Sequence, residues 1–191
     1  MGKSNKKWGE HMANWQPLVD ELIRDRGPQL VAYGAMLVGR DGDAEDLVHD
    51  AIVKTFSRSR SIGTVNEAHA YVRKAMPSIV IDRTRSAAAR RRAMNRSFER
   101  PQEISDLDAG VDLRRALRTL APREQVCVVL RYFDDLTVTQ VAAQLGLADG
   151  TVKRYLANAR VHLAQELDIS DDWDDTRERA DVVAVHGGKK S

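Results

Sequence analysis

The chain has 191 residues, of which 42% are apolar and 30% are charged, a balance typical of a soluble protein with one medium or two small domains. Only 5% of the residues are aromatic and 5 are proline, which favours helix over sheet. A single cysteine, Cys127, excludes an internal disulfide and a cysteine-based zinc cluster within one chain. No apolar run suits a membrane span or a secretory signal, so we expect a cytoplasmic protein. Cys127 lies in an apolar segment, and we expect it to be a small core residue.

The net charge of +2 conceals two segments of opposite sign. Between residues 83 and 100, seven arginines stand against one glutamate, a balance of +6. Between residues 168 and 181, seven carboxylates stand against two arginines, a balance of −5. We therefore expect the middle of the chain to attract polyanions and its end to repel them.

The first 85 residues predict a loosely ordered extension over residues 1–15 and a small helical domain over residues 16–85. From Leu18 onward, apolar residues recur at helical spacing. Gly27-Pro28 interrupts this pattern, so we expect one helix before it and a second helix that ends near Gly39.

An acidic segment over residues 41–56 predicts the next helix. Asp43 is a suitable N-cap, and the carboxylates that follow it lie in the first turn, where the helix dipole favours negative charge. The side chains expected to face outward are Asp43, Glu45, Asp46, His49 and Asp50. They do not fit a calcium loop, because the sixth position counted from Asp41 is Asp46, where glycine is required. No second histidine is close enough to pair with His49 on zinc. From the residues alone, this cluster is either a solvated helix start or a docking surface.

A polar loop over residues 57–65 precedes another helical pattern, for which Asn66 is a candidate cap. Pro77 lies inside this pattern and should bend or break the helix near residues 73–76, because proline removes one backbone hydrogen bond. The helix leads directly into the arginine-rich segment, which favours contact with phosphates.

The second half predicts a polar linker over residues 86–110, a helical domain over residues 111–167 and an acidic tail, expected to be mobile, over residues 168–191. A short amphipathic helix around Leu117 precedes a helix that opens at Pro122, where the missing donor costs nothing. The buried side of that helix is expected to be Val126, Val129, Leu130 and Phe133.

Residues 136–163 predict a helix-turn-helix. Thr137 and Gln140 have the spacing of a capping box, and Gly146 gives the backbone the freedom to turn sharply. The second helix should begin at Asp149 or the next residue, and Asp149 must cap it because alanine precedes it. Its apolar face is Val152, Leu156, Ala159 and Leu163. Its polar face is Lys153, Arg154, Ala157 and Asn158. An apolar back with a cationic front is what a helix in a DNA groove requires.

Three stretches together resemble bacterial sigma factors of the two-domain, extracytoplasmic-function type. They are DAEDLVHDAIVKTF (43–56), IDRTR (81–85) and APREQVCVVLRYFDDLTVTQVAAQLGLADGTVKRYLANAR (121–160). The resemblance covers roughly residues 18–85 and 111–165, in the family's order. It implies an all-α transcription initiation factor with two small helical domains joined by a flexible linker, which is not an enzyme and uses no cofactor or metal. The implied partners are the clamp helices and flap of the large subunits of core RNA polymerase, promoter DNA and an anti-sigma factor.

The resemblance also implies roles for particular residues. The outward-facing acidic group over residues 43–50 falls where the family docks on core polymerase. The 57–65 loop falls where the family captures a flipped base of the minus-10 element, and Arg83 and Arg85 fall where it contacts the adjacent DNA backbone. The residues implied to lie at the minus-35 element are Thr151, Lys153, Arg154, Tyr155 and Asn158.

Two alternatives remain open at this point. The APREQVCVVL and TVKRYL segments also resemble LuxR-type transcription regulators, which act without replacing the sigma subunit. Residues 1–110, however, lack the alternating strand and helix pattern of a receiver domain. An enzyme acting on nucleic acid through the carboxylates at 43–50 is the other alternative, and no second carboxylate or histidine group supports it.

Overall fold

The computed structural model describes the backbone of residues 3–38, 41–57, 62–94 and 109–166 and the side chains of residues 15–38, 43–57, 62–90 and 114–166. No strand occurs in these ranges, and the expected all-α fold is confirmed. The helices are α1 (Lys3–Val38), α2 (Asp41–Phe56), α3 (Val65–Met94), α4 (Ala109–Thr119), α5 (Pro122–Val128), a π-helical turn (Val129–Phe133), α6 (Val138–Leu145) and α7 (Asp149–Glu166). Within the same ranges, no helix combines the length and the apolar character that a membrane crossing needs.

Helices α1, α2 and α3 pack together into the first helical unit. Leu22, Leu47 and Val72, one from each helix, are fully buried in its core. Helix α1 approaches α2 closely at Gly34, where an added Cβ would lie 3.1 Å from Cε of Met76 and 3.2 Å from a backbone oxygen of α2. The absence of a side chain at Gly34 therefore allows the close packing of the three helices.

Prolines do not interrupt the helices in the way that the sequence predicts. Helix α1 continues through Pro28, so the expected break at Gly27-Pro28 is wrong, and α3 continues through the buried Pro77, so the expected break there is wrong as well. An interior proline costs about 3 kcal/mol. That cost is offset because apolar residues on both sides of each proline, such as Leu22 and Leu30 around Pro28, are buried in the core.

The start of α3 is also capped differently from the prediction. The hydroxyl of Thr64, not the amide of Asn66, accepts the N–H of Glu67 at 3.2 Å, and Oε2 of Glu67 accepts the N–H of Gly63 at 3.0 Å. Thr64 precedes the helix, whereas Asn66 lies inside its first turn. The side chain of Asn66 accepts a hydrogen bond from Arg26 on α1 at 3.2 Å.

The ends of the helices differ from the expected segment boundaries. Helix α1 begins at Lys3, so residues 3–15 of the predicted extension have helical backbone. Helix α3 extends to Met94, so the first part of the predicted linker, residues 86–94, is helical as well. Residues 95–108 and the acidic tail lie outside the described residues.

Helices α4–α7 form the second helical unit, which packs on the first through contacts of α5 with α1 and α3, of α6 with α3 and of α4 with α1. Buried residues of both units belong to one continuous apolar cluster. Phe133 was expected to be buried but is 41% exposed. The reason is the π-helical turn, whose wider winding moves Phe133 out of the register that buries Val126, Val129 and Leu130.

Candidate functional site

The helix-turn-helix has the local structure that its sequence predicts. The hydroxyl of Thr137 accepts the N–H of Gln140 at 3.2 Å, and the side-chain oxygen of Gln140 accepts the N–H of Thr137 at 2.8 Å. Helix α6 therefore begins with a capping box. It ends at Gly146, whose φ of 63° lies in the left-handed region, and the N–H of Leu147 then donates to the oxygen of Ala142 at 2.9 Å. These bonds determine the angle at which α7 follows α6.

Helix α7 presents the expected polar face to solvent. Val152, Leu156, Ala159 and Leu163 are buried beneath it. Lys153, Arg154 and Asn158 are exposed, whereas Thr151 and Tyr155 are half-buried. The hydroxyl of Tyr155 accepts a hydrogen bond from Arg123 of α5 at 3.2 Å, and the guanidinium of Arg154 lies 5.7 Å from the Tyr155 ring. The five residues implied at the minus-35 element are thus together on one helix.

The role expected for Asp149 is not the one that the structure gives it. Helix α7 begins at Asp149 itself, so this residue lies in the first turn and Ala148 occupies the cap position. The carboxylate of Asp149 accepts a hydrogen bond from the hydroxyl of Thr139 on α6 at 2.8 Å. Asp149 therefore connects the two helices of the motif, and its charge still favours the positive end of α7.

A buried carboxylate that the sequence analysis missed joins α5 to α7. Glu124 is only 5% exposed. Its Oε2 accepts the N–H of Ala121 at 3.2 Å, and Nδ1 of His162 lies 3.2 Å from the same oxygen. Burial and the nearby charge of Glu124 raise the pKa of Cys127 to about 12. Cys127 is fully buried, which confirms that it is a core residue.

The acidic residues of α2 form one exposed surface. Asp43, Glu45, Asp46, His49 and Asp50 are all exposed. Within the described residues, no group of histidine, cysteine and carboxylate side chains could hold a metal ion. This surface is directly bordered by α3, because Arg83 donates to Oδ2 of Asp50 at 2.5 Å and Nζ of Lys54 lies 3.7 Å from Asp82.

The contact between Asp50 and Arg83 brings together two residues that the sequence assigned to different partners. Asp50 was expected to face a protein and Arg83 to face DNA. Both side chains are about half exposed, so the pair contributes little to stability. Arg85 lies further along α3 and is exposed. The acidic surface and the basic end of α3 are therefore adjacent.

A cavity of about 360 Å³ lies beside the part of the 57–65 loop that the structure describes. It is open to solvent and mostly polar, and α1 forms one wall while the start of α3 forms the other. Arg26 and Asn66, which are hydrogen-bonded to each other, belong to its lining. Residues 58–61 of the loop lie outside the described residues.

A polar cluster between the two helical units was not predicted either. The hydroxyl of Tyr33 on α1 donates to Oδ2 of Asp134 at 2.7 Å, and Arg73 on α3 forms an ion pair with Oδ1 of the same carboxylate. The Arg73 guanidinium also stacks 4.3 Å above the Tyr33 ring. Asp134 follows the π-helical turn, whose i→i−5 hydrogen bond from the N–H of Asp134 to Val129 measures 3.2 Å. The turn thereby directs Asp134 toward the first unit.

The ionisation of this cluster follows from its burial and its charges. Burial, and then the hydrogen bond to Asp134, raise the pKa of the Tyr33 phenol, so Tyr33 remains a donor. Burial is the largest single influence on the pKa of Arg73 and lowers it, but the charge of Asp134, the hydrogen bond to it and the contacts with Tyr33 together raise the pKa by more, so the net shift is upward. The carboxylate is therefore shared between one neutral and one cationic donor.

The comparisons with known proteins agree on one family. A family model described as Sigma-70, region 4 matches residues 110–163, which contain α5, the π-helical turn and α6 and nearly all of α4 and α7. The chain is similar to the RNA polymerase sigma-E factor of Streptomyces avermitilis, with 32% identity over 157 residues, 80% of this chain and 86% of the relative. It is 25% identical over 158 residues to the ECF RNA polymerase sigma factor SigM of Mycobacterium tuberculosis, which is 82% of this chain and 81% of that relative.

A solved structure shares the fold. It is the sigma factor RpoE from Bartonella quintana, determined in complex with the anti-sigma factor NepR. The alignment has a TM-score of 0.52 and 23% identity, and it covers 83% of this chain and 99% of that one. The likeness therefore extends over both helical units.

Proposed function

The chain belongs to the extracytoplasmic-function sigma factors of bacterial RNA polymerase, and we propose that it contacts the core enzyme through α2 and promoter DNA through α3 and α7. It is a transcription initiation factor, which binds core RNA polymerase and directs it to promoters. The observation that carries this conclusion is the 32% identity to a sigma-E factor over 80% of the chain. A LuxR-type regulator is not favoured, because the similarity includes the first helical unit as well as the helix-turn-helix.

The minus-35 element is read by the exposed face of α7. Lys153, Arg154 and Asn158 are exposed there, and Thr151 lies one turn before Tyr155 on the same helix. The hydrogen bond from Arg123 fixes Tyr155, and the contact of Tyr155 with Arg154 restricts the guanidinium beside it. A restricted guanidinium loses less conformational entropy when it binds a guanine or a phosphate.

The core polymerase is bound by the acidic surface of α2. Asp43, Glu45, Asp46, His49 and Asp50 are exposed on one helix, and the partner implied for them is the basic clamp-helix coiled coil. Opposite charges on the two surfaces accelerate and orient the encounter. The second contact with polymerase, at the flap, is made by α4–α7.

Melting of the minus-10 element involves the 57–65 loop and the cavity beside it. A flipped base needs a polar pocket for its edge and pays a cost of unstacking. The cavity between α1 and α3 has about the volume of a small ligand site and a polar lining that includes Arg26 and Asn66. Arg83 and Arg85 then contact the DNA backbone upstream of the captured base.

Several further assignments follow from family membership. The proposed parts of the chain are a minus-10 domain at residues 16–85, a linker at 86–110 and a minus-35 domain at 111–167, flanked by an N-terminal extension and an acidic tail; helix α1 begins before the first of these bounds, and α3 continues past the second. An anti-sigma factor regulates the protein, as one binds the RpoE of Bartonella quintana. The protein works in the cytoplasm, where the core polymerase is, and has no catalytic residues or cofactor of its own.

The test is co-elution of the purified protein with core RNA polymerase, for the wild type and for Asp46→Lys. We expect the wild type to co-elute and the variant to lose most of its association, because the reversal places a positive charge opposite a basic surface. The matched control is Asp20→Lys, which reverses the charge of an exposed carboxylate on a different helix, α1. A wild type that does not bind core polymerase would overturn the proposed function, and equal binding by both variants would overturn the assignment to α2.

A further inference from the structure

The cavity between α1 and the start of α3 has a lining of two chemical kinds. Leu18 and Val65 are apolar, half-buried and packed against the core, and they suit the flat face of a base. Glu21 and Asp25 of α1 add two carboxylates to the lining. Enzymes that extrude a base hold its face between apolar side chains and read its edge through hydrogen bonds. The lining of this cavity provides both kinds of contact.

Arg26 determines which end of the Asn66 amide is available to the cavity. A guanidinium group has N–H donors and no acceptor, so the atom of Asn66 that Arg26 binds at 3.2 Å is the oxygen Oδ1. The amide nitrogen is then the end that remains for another partner. An asparagine that is not held in this way presents either its oxygen or its nitrogen, because the amide rotates about its last bond. Arg26 thus makes Asn66 a hydrogen-bond donor.

We propose that Asn66, held by Arg26, is a specificity-determining residue that donates a hydrogen bond to the captured base, and that this base is adenine or cytosine. Arg26 acts through Asn66 and is a positioning residue. This inference rests on the proposed function, because it takes the cavity to be the place that receives a flipped base of the minus-10 element.

The Watson–Crick edges of the four bases fall into two classes. Adenine and cytosine have a ring nitrogen that accepts a hydrogen bond, beside an exocyclic amino group that donates. Guanine and thymine have a ring N–H that donates, beside a carbonyl oxygen that accepts. The amide nitrogen of Asn66 pairs with the ring nitrogen of the first class, but it meets the ring N–H of the second class donor to donor. The fixed donor therefore selects the first class.

The two carboxylates of the lining favour the same class. Glu21 and Asp25 are exposed acceptors. Asp25 accepts from Nε of Arg24 at 3.3 Å, which leaves further lone pairs of the carboxylate available. Acidic side chains accept from the exocyclic amino group of cytosine, whereas thymine presents a carbonyl oxygen at the same place. A donor from α3 and acceptors from α1 together match an edge with a ring acceptor beside an amino group.

The backbone around Asn66 is fixed as well as its side chain. Oε2 of Glu67 accepts the N–H of Gly63 at 3.0 Å, and the hydroxyl of Thr64 accepts the N–H of Glu67 at 3.2 Å. These two bonds enclose the start of α3 on both sides of Asn66. The bond from Arg26 then connects this turn to α1. A side chain held in this way loses less conformational entropy when it binds a base.

The experiment uses the holoenzyme, formed from the purified protein and core RNA polymerase. The probe is a promoter library that is randomised at both elements, and the DNA of heparin-resistant complexes is recovered and sequenced. Base frequencies at each position are compared for the wild type, Arg26→Ala, Arg26→Lys and Asn66→Asp. The matched control is Arg118→Ala, which removes an exposed arginine on α4, outside the cavity.

We expect one minus-10 position at which the wild type favours adenine and cytosine over guanine and thymine by roughly 3- to 10-fold, the ratio that one hydrogen bond provides. Arg26→Ala should bring this ratio close to one, because the amide is then able to rotate. Arg26→Lys, which still donates to Oδ1, should retain more of the preference. Asn66→Asp should reverse it, because a carboxylate offers only acceptors. Arg118→Ala should leave the ratio as in the wild type.

Other positions of the library separate recognition from stability. A variant that is only less stable recovers fewer complexes of every sequence, so its base ratios do not change. The absence of any minus-10 position with the expected preference overturns the inference, and so does an Arg26→Ala variant with the wild-type ratio at that position. An Asn66→Asp variant that still prefers adenine and cytosine also overturns it.

The same proteins distinguish this inference from the proposed function. Arg26 and Asn66 lie outside the acidic surface of α2 and outside α7, so their variants should bind core polymerase and keep the wild-type selection at the minus-35 element. A wild type that does not bind core polymerase refutes the proposed function, and this inference with it. A holoenzyme that selects promoters with the same base ratios in every variant refutes only the roles of Arg26 and Asn66.

Discussion

Two glycines of the helix-turn-helix should respond in opposite directions to the same substitution. Gly146 ends α6 with a φ of 63°, whereas Gly150 lies in the first turn of α7 with ordinary helical backbone. An added Cβ would meet nothing within 4 Å at either position. Steric crowding is therefore absent from both, and backbone conformation alone distinguishes Gly146→Ala from Gly150→Ala.

The expected magnitudes follow from that difference. Holding alanine in the left-handed region costs about 1–2 kcal/mol, so Gly146→Ala should lower the free energy of unfolding by that amount. Gly150→Ala should raise it by about 0.4–1 kcal/mol, because alanine restricts the unfolded chain and favours the helix. With a urea dependence of about 2 kcal/mol/M, the midpoint should fall by roughly 0.5–1 M for the first variant and rise by roughly 0.2–0.5 M for the second.

Urea unfolding followed by circular dichroism measures both shifts. Gly146→Asn is a third variant for comparison, because asparagine tolerates the left-handed region better than alanine does. Its urea midpoint should fall between those of the wild type and Gly146→Ala. Midpoints that move in the same direction for the two alanine variants would refute the explanation by backbone conformation.

Three further predictions concern DNA reading, pH and thiol reactivity. Arg154→Ala should change discrimination between sequences at the minus-35 element by about 1–3 kcal/mol, whereas Lys153→Ala should weaken binding to all promoters alike and lower the salt slope by about one. Holoenzyme binding to promoters at several salt concentrations measures both effects. An Arg154→Ala variant that loses equal affinity for matched and mismatched promoters would refute the role of Arg154. Burial, and then the charges of two nearby arginines, lower the pKa of His69 below its usual 6.5. The unfolded chain therefore binds a proton at His69 more readily than the folded chain does. The free energy of unfolding consequently decreases as the pH falls through 6.5. Melting temperatures at pH 7.5 and 5.5 should therefore differ more for the wild type than for His69→Gln, and equal differences would contradict this account. Cys127 should not react with a thiol reagent at pH 8 in the native protein but should react once in denaturant, and rapid native labelling would show that its site opens.

The helix-turn-helix could be predicted in detail because its signals are local. The Thr137 and Gln140 cap, the left-handed Gly146 and the apolar face of α7 each depend on residues within a few positions of one another. The grouping of the acidic residues on α2 could be predicted for the same reason, since helical spacing alone determines it.

The errors come from effects that tertiary packing decides. Pro28 and Pro77 were predicted to break their helices, but the burial of apolar residues on both sides of each proline keeps α1 and α3 continuous. The cap at Thr64 was missed although Thr64 and Glu67 have the spacing of a capping box, because Asn66 offered a competing local signal. Phe133 was placed in the core because α-helical periodicity does not anticipate a π-helical turn.

No local sequence pattern predicts the contacts between the two helical units. Asp134 and Tyr33 are 101 positions apart in sequence, and neither lies in a pattern that identifies its partner. The contact between Asp50 and Arg83, which are 33 positions apart, could not be predicted either. The sequence assigns Asp50 to a protein partner and Arg83 to DNA, and it does not indicate that the two side chains meet. Sequence periodicity identifies which face of a helix is buried but not which distant side chain meets it.

Deleting one residue from the π-helical turn at Val129–Phe133 would leave a helix that is, by itself, more regular. The backbone would return to i→i−4 hydrogen bonds, and local stability would not suffer. Every residue after the deletion, however, would rotate by about 100° around the helix axis and move by about 1.5 Å along it. Asp134 would then point away from Tyr33 and Arg73, although no side chain of the three had changed. In this segment the length of the chain, as much as the identity of its residues, decides whether the two units meet.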